Sequence, residues 1–236
     1  MGKEYIKIKI EKPTIPFSDS INVLKTMDND FWKGWIFYYL LLFYQKFDRE
    51  DLKQRIVNEK KKSNPRIERK IAEFVRKKLN NDKYFSEDFH AFGENSNDKE
   101  IEGYYDITIH STNWKNKNFH FECKNLNKTQ DSINKYVYYN TGNQVFDGGV
   151  YRYFNGKYAQ NGSFGGMIGF VLEGNYLNIK TKIHEKLNEK FDITPEGDLT
   201  DIVDNSIQQN DFTFDSYHKR FDSEFVVHHL LFNICP

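Results

Sequence analysis

Apolar and polar positions change period along the chain, and each period assigns an element. Residues 1–16 alternate with period two: Tyr5, Ile6, Ile8 and Ile10 interleave with lysines, and Pro13 and Pro16 stop the run, so a strand is predicted. Asp28–Phe47 reads as a helix, with Asp28 or Asp30 as its cap. It is apolar nearly all round (Phe31, Trp32, Trp35, Ile36, Phe37, Leu40, Leu41, Phe43), so it must be buried, in this chain's core or against a homodimer mate or larger partner subunit over Phe31–Phe47. Lys60–Asn64 breaks structure, and Pro65 enters the first turn of a helix to about Leu79, with Ile67, Ile71, Phe74, Val75 and Leu79 on one stripe. Three strand-like runs follow, Tyr84–Phe92, Gly103–His110 and Phe119–Leu126. A helix is predicted near Thr129–Tyr139. Tyr136–Gly166 reads as turns with a short hairpin around Gly148-Gly149. Met167–Leu172 is a buried strand, Asn175–Phe191 a helix, and Phe212–Lys219 and Glu224–Phe232 two more strands. This order predicts one mixed α/β domain around a single sheet.

Composition narrows the class. The chain has 236 residues and two cysteines in unlike contexts with no CxxC pair, which excludes a disulfide scaffold, a zinc ribbon and a thioredoxin-type site. The N-terminus lacks the apolar core of a signal peptide and no run of about 18 apolar residues occurs, so a soluble cytoplasmic protein is the expectation. Abundant Lys, Asn, Ile, Phe and Tyr suit an AT-rich bacterial genome.

The net charge of zero averages opposed regions. Lys53–Lys78 holds eleven Lys/Arg against three Glu, and the stretch from Asp192 to the end holds nine Asp/Glu against two Lys/Arg. The chain can therefore present a basic face without being basic overall, and such a face suits a polyanion as well as plain solvent.

Candidate chemistry lies in Glu102–Leu126. On one strand Tyr105, Ile107 and Ile109 face one way, and Asp106, Thr108 and His110 the other; on the next, Phe119, Phe121 and Cys123 oppose His120, Glu122 and Lys124. The apolar faces share the core, so the polar faces lie together. A hairpin pairing His110 with His120 would set Asp106 against Lys124 and Thr108 against Glu122, gathering two carboxylates and an ammonium within about 5–7 Å. Mg²⁺ takes one or two carboxylates and keeps waters that a phosphate can replace, so Asp106 and Glu122 are the candidate metal ligands. Lys124 can offset transition-state charge, and Cys123 is a small core hydrophobe. His120 shares the face of Glu122 and could border the site.

Asp106 followed by Glu122-Cys123-Lys124 in an apolar strand resembles the PD-(D/E)xK nuclease superfamily, and Gly103-Tyr104-Tyr105-Asp106 is similar to its GxxD acidic motif. The strings Glu59-Lys60-Lys61 and Glu68-Arg69-Lys70 also fit E-x-K but lack an alternating strand. The resemblance implies a restriction-endonuclease-like core of helix, three-strand meander, helix and strand over residues 64–175, with extensions at 1–58 and 176–236. It also implies Mg²⁺-dependent hydrolysis of DNA phosphodiesters, Mn²⁺ substituting, and suggests restriction or anti-phage defence. A further glutamate comes from the preceding helix in many members. Glu68 and Glu73 are the candidates, and Glu68 is chosen because it flanks the apolar stripe. Lys61, Lys62, Arg66, Arg69 and Lys70 would then meet nucleic-acid phosphates. The rival expectation is an inactive nucleic-acid-binding or partner-docking module of the same fold; an RNA substrate would use the same residues.

Overall fold

The computed structural model describes residues 8–14, 24–93, 95–96, 104–114, 117–138, 148–155, 158–159, 162–191 and 197–234. The calls on Tyr5, Ile6, Gly103, Tyr139 and Cys235, and part of the Tyr136–Gly166 stretch, lie outside them.

Six α-helices and nine strands occur among the described residues: α1 Asn29–Lys46, α2 Arg49–Lys60, α3 Ile67–Asn81, α4 Lys83–Asp88, β1 His90–Phe92, β2 Asn95–Ser96, β3 Tyr104–Tyr105, β4 Ile107–His110, β5 Asn118–Leu126, α5 Gln130–Val137, β6 Phe164–Val171, α6 Tyr176–Phe191, β7 Asp198–Asp204, β8 Thr213–Arg220 and β9 Ser223–Asn233. Seven strands form one mixed sheet in the order β1-β4-β5-β6-β9-β8-β7, and β2 and β3 pair separately. The β5–β6 and β6–β9 pairs are parallel and the others antiparallel. The fold is therefore mixed α/β.

Local chemistry sets the helix starts. Asp28 caps α1 by accepting Phe31 N–H, Asp48 caps α2, Asp82 caps α4 and Thr129 caps α5. Helix α1 is covered by its own chain: Tyr44 stacks on Phe232 with centroids 4.4 Å apart, Phe37 meets Phe119 at 5.5 Å, and Phe43 meets Phe74 of α3 at 6.2 Å. Nine of its apolar residues between Trp32 and Tyr44 are buried in this chain's own core, and Phe31, Tyr38 and Leu42 are partly buried against it.

Several predicted elements differ, each for a physical reason. Ile8–Thr14 is not a ladder strand: side chains of Gln208 and Asn210 bond its backbone at Lys9 and Glu11 instead. Arg49–Lys60, too charged to show an apolar stripe, is helical behind its Asp48 cap. Tyr84–Asp88 is helical rather than extended, because Asp82 caps both Tyr84 and Phe85 N–H. Pro65 lies just outside α3, whose N-cap is Arg66. Gly148 and Gly149 lead into a 3-10 helix, Val150–Tyr153, rather than a hairpin. A Cβ at Gly148 would lie 2.3 Å from the Tyr138 backbone, so the chain can close against α5 only with glycine there. Strand β7, whose outer residues are polar, escapes the alternation test. His228 and His229 are both buried, because helices cover both faces of the sheet.

The β4–β5 register is shifted by two from the predicted one: Thr108 opposes His120 and His110 opposes Asn118. A two-residue shift preserves parity, so the polar face stays coherent. Asp106 sits in a bend that separates β3 from β4. The bend restarts the alternation, and Tyr105 consequently stacks on His120 at 4.0 Å on the polar face, not with Ile107 and Ile109.

Candidate active site

Strand β4 ends at Ile107, which opposes Phe121, while β5 continues to Leu126. Among the described residues, no strand pairs with that edge of β5 beyond Phe121. Carboxylates take its N–H groups: Asp106 Oδ2 accepts Cys123 N–H at 2.8 Å, and Glu68 Oε2 on the first turn of α3 accepts Asn125 N–H at 2.9 Å. The freed edge thus fixes two acids beside the side chains of Glu122 and Lys124. Arg76 of α3 holds the Asp106 bend by donating to its carbonyl.

Lys124 is at the centre. Its Nζ donates to Glu122 Oε1 at 2.5 Å, to Cys123 O at 3.0 Å and to Glu68 Oε1 at 3.2 Å, which uses all three ammonium protons. Burial alone would lower its pKa, but Glu122, Glu68 and Asp106 outweigh burial and hold it well above the usual lysine value. Burial, then the charge of Glu122, push the Asp106 carboxyl up to about 8, against the pull of Lys124. Glu122 is only 1% exposed.

Comparison of the chain with protein-family models, curated proteins and solved structures gives no match.

The chemistry therefore rests on these residues. Asp106, Glu122, Lys124 and Glu68 are brought together. Glu73 is not: it points outward and bonds Lys70 and Lys77, which hold its carboxyl down to about 2. Lys61, Lys62, Arg66 and Arg69 lie exposed on the α2–α3 turn and the start of α3, next to Glu68. Lys62 pairs with Glu59 at 2.6 Å and Lys70 with Glu73 at 2.9 Å, so part of that charge is already compensated. His120 Nδ1 pairs with Thr108 Oγ1 at 3.0 Å.

Two residues escaped sequence reasoning. Arg152 NH1 donates to Glu122 Oε1 at 2.8 Å and to Tyr158 OH at 2.9 Å, and Tyr158 OH donates to Glu122 Oε2 at 2.8 Å. Both come from the Tyr- and Gly-rich stretch, where no period marks a face. Their one sequence signal is a lone arginine among aromatics.

No group of three or more His, Cys, Asp or Glu side chains able to hold a metal is found among the described residues. A Mg²⁺ ion needs only one or two carboxylates, with waters completing its shell. Asp106 and Glu122 supply hard oxygen donors only; burial and then the like charge of Glu122 raise Asp106, and a divalent cation relieves the like-charge part. The donor set fits Mg²⁺ on that ground.

Proposed function

We propose that the chain is a Mg²⁺-dependent nuclease that hydrolyses DNA phosphodiester bonds, Mn²⁺ substituting, with restriction or anti-phage defence as its setting by family analogy. The observation that carries the reading is Lys124 seated between Glu122 and Glu68 at the freed edge where Asp106 also docks. Asp106 and Glu122 would hold the cation, which when bound polarises the phosphodiester and lowers the pKa of a water. Lys124 stays charged and offsets charge developing on the phosphate. Glu68 fixes Lys124 from the helix side. Lys61, Lys62, Arg66, Arg69 and Lys70 line the adjoining turn and would track the nucleic-acid backbone, giving salt-dependent affinity. The test is plasmid cleavage with Mg²⁺. Lys124→Ala is expected to lose about 10²–10³ in rate; equal cutting by wild type and variant would sink the reading. A panel of DNA and RNA substrates separates the two polymers.

One observation favours a second reading, an inactive binding module: both Glu122 oxygens already accept protein donors. That reading predicts salt-sensitive DNA binding with no Mg²⁺-dependent cutting.

A further inference from the structure

Glu122 is neutralised twice. Lys124 lies two residues along the same strand, pinned also by Glu68 and by the Cys123 carbonyl. Arg152 arrives from a different element, the 3-10 helix Val150–Tyr153. The backbone of that helix is fixed: Arg152 N–H donates to Gly148 O at 3.1 Å, Tyr158 N–H to Arg152 O at 2.9 Å, and the neighbouring Tyr153 hydroxyl to Gly166 O at 2.8 Å. Its side chain is partly exposed, at 22%, against 15% for Lys124. The guanidinium also lies 5.6 Å from the Tyr158 ring centroid, a contact that stabilises a cation without a carboxylate.

We propose that Arg152 is the resident counter-ion of Glu122, and that a divalent cation held by Asp106 and Glu122 takes its place by displacing the guanidinium. The inference rests on the metal-dependent reading above. Glu122, Glu68 and Asp106 all act on Lys124, and Glu122 also bonds Arg152. A divalent ion added to that set repels both cations, and Arg152 yields because Lys124 is anchored by three acceptors, two on its own strand and Glu68 on α3. Arg152 is thus a positioning residue: it keeps the buried Glu122 charge compensated when no metal is held, at a cost to metal affinity.

The experiment is Mn²⁺ titration by calorimetry and Tb³⁺ luminescence sensitised by tyrosine, since Tyr158 bonds Glu122 itself. Thermal midpoints are recorded with and without Mn²⁺, and no substrate is present. Wild type is expected to bind, and Asp106→Asn and Glu122→Gln to lose binding. Arg152→Gln is expected to bind Mn²⁺ at least about tenfold tighter, because a screened unit charge a few ångströms away exceeds one decade of affinity. Its metal-free Tm is expected below that of wild type, with Mn²⁺ closing the gap. If Arg152→Gln does not fold, Arg152→Lys, which keeps the charge but loses the planar fork, is expected to bind several-fold tighter than wild type. Unchanged or weaker binding in the variant that folds, beside site-specific binding in wild type, overturns this inference alone. No binding by wild type overturns both this inference and the nuclease reading.

Discussion

The carboxylate of Asp106 takes the place of a neighbouring strand for Cys123, accepting its backbone N–H at 2.8 Å just past the point where β4 ends. An acid that would otherwise be free to face solvent is thereby held in a half-buried position beside Glu122. The hydrogen bond lowers its pKa, but burial and Glu122 raise it further.

That conflict fixes a pH dependence. The unfolded carboxyl ionises near 3.8, and the folded one near 8. Between these values the native state binds more protons, so this group's contribution to stability falls as pH rises, by up to about 1.4 kcal/mol per pH unit. Asp106→Asn keeps an acceptor for Cys123 N–H and removes the charge. In metal-free denaturant titrations the variant is expected to gain on wild type steadily from pH 5 to pH 8; a constant difference would contradict the buried ionisation.

The two glutamates of α3 should separate cleanly. Glu68→Gln weakens the hold on Lys124 and is expected to reduce Mg²⁺-dependent cleavage about 10–100-fold, the usual effect of losing a group that orients a site. Glu73→Gln loses outward pairs with Lys70 and Lys77, worth about 0–1 kcal/mol, and is expected to cut like wild type. Cleavage assays on both variants check this, and the reverse ranking would refute the assignment.

A buried chain of neutral groups crosses β8 and β9. His218 Nδ1 faces the Gly197 carbonyl at 2.9 Å and must donate, so its Nε2 accepts from Ser216 Oγ at 2.8 Å. Ser216 Oγ then accepts His229 Nε2–H at 2.9 Å, and His229 Nδ1 accepts the Tyr136 hydroxyl at 3.0 Å. Burial holds His218 down to about 4 and His229 well below the usual value. Both folded pKa values are depressed, so stability is complete above about pH 6.5 and is lost as pH falls, at up to about 1.4 kcal/mol per unit for each histidine. Acid titration in the Asp106→Asn background isolates this slope, and replacing His218 with Gln is expected to reduce it.

Helix α1 should behave as core. Leu40 is fully buried, and Leu40→Ala is expected to cost about 2–5 kcal/mol in denaturant unfolding. A loss below about 0.5 kcal/mol, typical of surface positions, would mean that the helix packs against something other than this chain.

Periodicity and capping chemistry sufficed for part of the molecule. The alternation in residues 107–110 and 118–126 assigned Thr108, His110, His120, Glu122 and Lys124 to one face, and parity kept them there whatever the register. Asp28 and the stripe of Ile71, Phe74 and Val75 placed their helices because capping and burial are local or periodic demands. The register itself, the bend at Asp106, and the arrival of Arg152 and Tyr158 on Glu122 came only with the packed chain, whereas the stripe of α3 had already favoured Glu68 over Glu73. A side-chain period states which way a residue points. It carries no information on where a partner strand stops or on what distant backbone closes over a polar face, and at this site those two quantities decide which charges meet.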